Sequence, residues 1–293
     1  MPSTPQPNPS ASDDGSVRAD LSPYLPVTRQ ECVDRGWLPA SHETFDSAQH
    51  GVDFVLVSGD AYVDHPSFAN AVIGRLLEAR GHRVAILSQP DWKSVEPFRI
   101  FGEPRVAWLV SAGNLDSHLN HYTAQKKPRS EDQYSPAGRA GLRPDGATIV
   151  YSQRCREAFK NVPIIAGGVE VSMRRMAHVD YWHEKVKRSL ILDARIDLAV
   201  YGMGEKALVE ILDRLLAGES IDSIRDVPGT AYAIGKHGRP HFYDESTWQE
   251  GTSWWQQQQD MGEDVIVMPS YDEIRGNDEQ SKQRFARAQH LFH

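Results

Sequence analysis

The chain has 293 residues, of which 40% are hydrophobic and 25% are charged, and its formal net charge is −8. An acidic chain repels phosphate backbones, and no apolar run approaches the roughly 20 residues that cross a bilayer, so neither nucleic acid nor a membrane is an expected partner. The N-terminus has no basic region followed by an apolar core, so we expect a cytoplasmic protein without a secretory signal.

Residues 1–20 are rich in Pro, Ser and Asn. Such a segment buries too little apolar surface to offset the entropy of ordering, so a disordered tail is predicted. Residues 21–228 are predicted to form one domain in which strands and helices alternate. Short apolar runs predict strands at 53–58, 83–87, 105–111, 147–151, 162–166 and 196–201. Amphipathic spacing predicts helices from Pro66 towards Gly81, over 154–160, and from 205 towards Gly218.

This alternation predicts the α/β class, with an open, mostly parallel, Rossmann-like sheet. The expected order of the main strands is 2-1-3-4-5, as in flavodoxin-like and cobalamin-binding domains. The polar stretch over 116–146 is too long for an ordinary connection, and we interpret it as functional or disordered. Residues 229–293 are predicted to form a β-hairpin, with arms at 229–234 and 239–243, followed by a helical extension.

Glycine and polar residues follow most of the predicted strands. The carboxyl ends of parallel strands meet at one edge of a sheet, and ligands bind there. We therefore predict one polar cleft bordered by Asp60, Asp64, His65, Asn114, Asp116, Gly168, Glu170, Gly202, Gly204 and Glu205. Simpler interpretations stand beside this one. Asp64 can cap a helix, the polar rim can be merely solvated, and residues 202–204 can form a tight structural turn rather than a phosphate-binding turn.

The two cysteines, Cys32 and Cys155, lie far apart in the sequence and fit neither a disulfide framework nor a C-x-x-C motif. The histidines lack a zinc-binding spacing, and the chain has no P-loop, no nucleophile elbow and no Ser/His/Asp set. The residues by themselves therefore assign no metal ligand and no catalytic residue. They leave open a self-sufficient protein that binds a nucleotide or another small molecule at the glycine turns.

Several long stretches resemble the N-terminal domain of radical S-adenosylmethionine (SAM) proteins of the YgiQ family. They are VSGDAYVDHPSFANAVIGRLLEARGHRVAI, KPRSEDQYSP, PIIAGGVEVSMRRMAHVDYW, DLAVYGMGEKA, VPGTAYAI and MPSYDEI. Together they place the resemblance over nearly all of the chain from about residue 21 onward.

The resemblance implies that a barrel domain follows, in which a C-x-x-x-C-x-x-C motif holds a [4Fe–4S] cluster that binds SAM. This sequence has no such motif. We therefore expect an accessory domain of a truncated or split radical SAM protein that binds neither cofactor by itself. Its implied partners are the barrel, on which the segment from about Gly229 would dock, and an unknown small-molecule substrate. A further interpretation is an interaction module for a separately encoded catalytic chain.

Overall fold

A computed structural model of the protein describes residues 24–41, 44–47, 49–235, 266 and 268–292. The tail predicted at 1–20 lies outside this range. The strands are β1 (Phe54–Ser58), β2 (Val84–Ser88), β3 (Ala107–Ser111), β4 (Ile164–Gly167), β5 (His178–Asp180), β6 (Lys185–Lys187), β7 (Leu198–Val200) and β8 (Thr230–Ala231). The helices are α1 (Arg29–Asp34), α2 (Ala69–Ala79), α3 (Ser117–His121), α4 (Ala147–Ala158), α5 (Val169–Arg174), α6 (Leu190–Ala194), α7 (Glu205–Leu216), α8 (Tyr271–Ile274) and α9 (Glu279–Phe292).

The central sheet has the strand order β2-β1-β3-β4-β7-β8. Its neighbouring strands are parallel from β2 through β7, and β8 pairs antiparallel with β7. The predicted order 2-1-3-4-5 is confirmed, because β7 is the strand expected at 196–201. The finer likeness to flavodoxin or cobalamin-binding domains stays a prediction. Strands β5 and β6 form a separate antiparallel pair.

Helices cover both faces of the sheet, so the strands are buried on both sides as their apolar runs predict. On one face, Leu77 of α2, Ile211 of α7 and Phe54 of β1 belong to one core cluster. On the other face, Tyr151 of α4 and Leu190 of α6 belong to the second core cluster. Each fully buried large apolar side chain contributes about 1.5–3 kcal/mol relative to exposure, so the two clusters hold the sheet and its helices together as one layered unit.

The strand expected at 147–151 is wrong, because these residues form the first turns of α4. The run of β-branched residues over 148–150 favours a strand locally. Packing overrides this preference: Thr148, Tyr151, Ser152 and Cys155 are buried at helical spacing. The predicted helix over 154–160 is the second half of the same helix.

The polar stretch over 116–146 has a defined structure throughout. It begins with α3 and contains a three-residue 3-10 turn over Pro136–Gly138. Isolated bridges pair Tyr122 with Pro128 and Glu131 with Arg139. Of the two interpretations of this stretch, disorder is therefore excluded. The stretch is long because it folds back over the edge of the sheet.

The C-terminal hairpin is described only in its first arm. This arm, β8, pairs antiparallel with β7. The expected second arm at 239–243 lies outside the described residues, as do Trp254 and Trp255. Helices α8 and α9 follow, and Ile274 and Ala288 are buried. Within the described ranges, no helix is both long and apolar enough to cross a membrane.

Candidate functional site

The strand ends meet at one edge of the sheet because the parallel strands are in register. Ser58 of β1 lies opposite Ser111 of β3, and Ser111 lies opposite Gly167 of β4. The segments that follow these strands therefore emerge side by side. We call this side of the domain the strand-end edge, comprising residues 59–66, 112–122, 168–175 and 201–206.

Asp60 lies at the centre of a buried ion-pair network at this edge. Its Oδ1 accepts a hydrogen bond of 2.8 Å from Nη1 of Arg143, and its Oδ2 accepts one of 2.7 Å from the Asn114 N–H. Arg143 also donates from Nε to Asp132 Oδ2 at 3.0 Å and from Nη2 to Asp132 Oδ1 at 3.1 Å. The Arg143 side chain has no exposed surface. We call Asp60, Asp132 and Arg143 the Arg143 network.

Burial and hydrogen bonds shift the pKa values of the two carboxyl groups of the network in opposite directions. Burial raises the pKa of Asp60, against the lowering effects of the Arg143 guanidinium and the Asn114 N–H. Burial also acts to raise the pKa of Asp132, but hydrogen bonds from Ser135 and the Tyr134 N–H, together with Arg143, bring it below its ordinary value. The Arg143 guanidinium thus pairs with two carboxylates, and its Nε, Nη1 and Nη2 atoms all donate hydrogen bonds within the fold.

Gly113 shows how closely the strand ends approach each other. A Cβ atom at this position would overlap the Asp60 carboxylate, and the residue has a φ of +107° that an L side chain rarely adopts. The loop after β3 therefore passes directly over Asp60, which explains why the Asn114 N–H can reach that side chain.

Two further acidic residues predicted for the cleft serve as helix caps. Glu170, 1% exposed, accepts hydrogen bonds from the N–H groups of Ser117 at 2.9 Å and Thr148 at 3.1 Å. The second of these bonds satisfies the start of α4. Asp116 Oδ1 accepts a 3.0 Å hydrogen bond from the His118 N–H at the start of α3, and its Oδ2 pairs with Arg174 at 2.5 Å. These carboxylates are engaged within the fold and do not face an open cleft.

A cavity of about 250 Å³ opens beside the strand ends, between α2 and α7. We call it the α2–α7 groove. Its apolar floor comes from the ends of the parallel strands, through Leu56, Leu109, Ile165 and Val200. The predicted residues Gly168, Gly202, Gly204 and Glu205 line it, together with Asn70 of α2. The glycine-rich turns therefore border an apolar recess rather than a polar cleft.

Asp64 and His65 lie neither in the Arg143 network nor in the α2–α7 groove. Asp64 pairs with Arg75 of α2, and the His65 Nδ1 accepts a 3.2 Å hydrogen bond from the Ser67 N–H. Helix α2 begins only at Ala69, and its N-cap position is Phe68, so Asp64 does not cap it either. The ten predicted residues thus divide among the Arg143 network, the helix caps, the groove and this exposed turn.

A family model described as "Radical SAM N-terminal" matches residues 24–293. The chain belongs to the YgiQ family of radical SAM proteins. A UPF0313 protein of Rhodopseudomonas palustris is 46% identical over 275 residues, which are 93% of this chain and 38% of that protein. The UPF0313 protein YgiQ of Salmonella typhimurium is 50% identical over 213 residues, which are 73% of this chain and 28% of that protein.

Among solved structures, the radical SAM methyltransferase TsrM from Kitasatospora setae, with tryptophan and a SAM analogue bound, is similar to part of this YgiQ-family chain. The TM-score is 0.42 at 20% sequence identity, covering 63% of this chain and 29% of that one. The chain therefore spans well under half of the length of the relatives and of the structure that it matches.

The cysteines of this YgiQ-family chain do not fit an iron–sulfur cluster. A [4Fe–4S] cluster needs several thiolates in one place, and the sequence has two cysteines. Both are buried, and burial raises the pKa of Cys32 to about 12 and that of Cys155 well above its ordinary value. In the described segments, no group of three or more His, Cys, Asp or Glu side chains is placed to bind a metal ion.

Sequence reasoning missed three residues that organise the edge. Asp132 and Arg143 lie in an aperiodic loop, where no spacing pattern identifies a buried charge. Trp182 packs on Tyr122 with ring centroids 4.0 Å apart, and Lys126 donates a 3.1 Å hydrogen bond to its carbonyl. An Arg in the same long loop as an Asp is the available signal for Arg143 and Asp132, and it is a weak one.

Proposed function

We propose that this domain docks through its strand-end edge on the radical SAM part of longer YgiQ-family proteins and helps to enclose the substrate site there. The observation that carries the proposal is a set of exposed apolar side chains on segments that follow β1, β3, β4 and β7. They are Val63, Leu115, Leu119, Val169, Met173 and Met203, exposed by 37% to 88%. Exposed apolar clusters of this kind mark interaction surfaces.

The partner follows from the size of the relatives and from the cysteines. The matched segment is 38% of the Rhodopseudomonas palustris protein, so most of that protein lies outside it. The two cysteines here are buried in the core cluster of the sheet. The cluster chemistry implied by the family would therefore reside in the part outside the matched segment, and this domain would contribute a rigid wall built on the Arg143 network.

Hydrogen exchange tests the docking directly. The experiment compares this chain alone with a chimera in which it replaces the matching segment of the Rhodopseudomonas palustris relative. We expect slower exchange in the chimera for peptides that cover 112–122, 168–175 and 201–206. Peptides at the opposite edge, over 80–83 and 158–163, provide the control and should exchange equally in both proteins.

Two variants sharpen this test. Met173→Glu places a charge on the proposed interface and should abolish the added protection, whereas Leu192→Glu, which replaces another exposed apolar side chain on α6, should leave it intact. Equal exchange of the strand-end edge in the two proteins would refute docking. A second experiment treats the isolated chain with iron and sulfide. A stoichiometric [4Fe–4S] signal in this chain would refute the proposal that the cluster resides outside the matched segment.

A further inference from the structure

The α2–α7 groove contains a polar group that the fold itself does not use. Asn70 is 8% exposed and lines the groove. Within the described part of the chain its side-chain amide has no hydrogen-bond partner, and it is not among the fully enclosed polar atoms, so it faces the open space of the groove. Its donor and acceptor therefore remain available to a molecule in the groove.

The opposite wall supplies a carboxylate. Glu205 is the first residue of α7, and neither a hydrogen bond nor an ion pair engages its side chain within the described residues. It is also the single charged residue among the described residues that line the groove. With one negative charge and no cation among its described lining residues, the groove disfavours a phosphate or a carboxylate and favours a neutral ligand that offers hydroxyl hydrogens.

The floor and the size define the rest of the ligand. The floor is formed by the apolar side chains Leu56, Leu109 and Ile165, which suit the face of a planar ring. A volume of about 250 Å³ limits the ligand to a small molecule.

We infer that the α2–α7 groove binds an uncharged purine nucleoside. An asparagine amide matches the donor and acceptor pair on the edge of adenine. The Glu205 carboxylate, at the start of α7, can accept hydrogen bonds from ribose hydroxyls. The purine lies on the apolar floor between these two groups. This inference does not depend on the docking of the strand-end edge, because the lining residues named here all belong to the described part of this chain.

Calorimetric titration of the isolated chain with adenosine tests the inference. At the efficiency usual for ligands of this size, the expected Kd is on the order of 0.1 mM. Adenosine monophosphate should bind at least about tenfold more weakly, because its phosphate enters a groove that holds a carboxylate and no cation. Equal affinity for the two compounds, or no saturable binding of adenosine, would overturn the inference.

Variants test whether Asn70 and Glu205 bind the nucleoside. Asn70→Ala and Glu205→Ala should each weaken adenosine binding about tenfold, and Glu205→Ala should also remove the discrimination against the monophosphate. Asn161→Ala and Glu210→Ala, at exposed positions outside the groove, are the matched controls and should bind as the unchanged chain does. Ala69→Trp fills the groove from an exposed position on α2 and should abolish binding without disturbing the core. Unchanged binding in Asn70→Ala and Ala69→Trp would place the nucleoside elsewhere and refute the site.

Discussion

Arg143 is the residue on which the strand-end edge depends most. It joins Asp60, which follows the first strand, to Asp132, which lies in the long loop after β3. A buried pair is weak evidence for added stability in itself, because desolvation offsets the attraction. Removing one partner is different, since it leaves the remaining charges buried and uncompensated.

Replacement of this arginine gives the first prediction at this scale. Arg143→Met leaves two buried carboxylates without a cation and should lower the free energy of unfolding by about 3–5 kcal/mol. Urea denaturation followed by circular dichroism measures the change. Arg80→Met is the control, because Arg80 pairs with Asp213 at the surface, with side chains 40% and 49% exposed, and its loss should cost less than about 1 kcal/mol. Similar losses for the two variants would contradict the structural role given to Arg143.

Asp180 gives a pH-dependent prediction. Burial acts to raise its pKa, but the His183 imidazole and the N–H groups of Trp182 and His183 lower it to about 2. A lowered pKa stabilises the folded state above the ordinary value near 3.8 and loses that contribution as the pH falls towards 2. In Asp180→Asn the free energy of unfolding should therefore change less between pH 4 and pH 2 than in the unchanged chain. Denaturation midpoints across this window measure it, with Asp222→Asn as the surface control. Parallel pH profiles for Asp180→Asn and the unchanged chain would refute the assignment.

At the scale of elements, the start of α4 shows how tertiary contacts select secondary structure. The residues over 148–150 favour a strand, yet Glu170, from a helix that follows the next strand, accepts a hydrogen bond from the Thr148 N–H. Gly146, in the left-handed region at a φ of +61°, turns the chain into the helix. The cap is remote in sequence, so no local pattern could predict where α4 begins.

Removing this remote cap tests its importance. Glu170→Ala leaves the buried N–H groups of Ser117 and Thr148 without an acceptor, at about 1–3 kcal/mol each, so the free energy of unfolding should fall by about 2–6 kcal/mol. Glu157→Ala is the control, because Glu157 lies on the same helix and forms a partly exposed pair with Arg154. Hydrogen exchange at the first turn of α4 should accelerate only in Glu170→Ala. A loss below about 0.5 kcal/mol would show that the cap is dispensable.

The elements predicted best from the sequence are those whose pattern is local. Each of the main parallel strands is a short apolar run buried on both faces, and composition alone identifies such a run. Asp60 and Glu170 follow β1 and β4 in the chain, as the apolar runs before them indicate. What their side chains do there depends on Arg143, Ser117 and Thr148, which come from distant parts of the chain. Sequence therefore predicts that these groups converge, while the structure determines that they pair with the fold instead of lining a cleft.

For the whole molecule, the two kinds of surface at the strand-end edge have different chemistry. The α2–α7 groove is recessed and lies on one face of the sheet, whereas Met173 and Met203 project from the edge and are 58% and 88% exposed. A recess suits a small molecule, and a projecting apolar set suits a protein partner. The variants Met173→Glu and Asn70→Ala change the edge and the groove separately, so docking of a larger chain and binding of a nucleoside can be distinguished by experiment.

The Arg143 network also sets an order of events during synthesis. Asp60 and Arg143 are separated by 83 residues along the chain. Strands β1, β2 and β3 all leave the ribosome before Arg143 does, so the first three strands can pair while Asp60 still lacks its cation. In a nascent chain halted before residue 143, Asp60 and Asp132 are both present without the guanidinium that joins them. The edge becomes native only when α4 begins to emerge, and slow translation of the 116–146 region would lengthen the interval in which a chaperone could bind there.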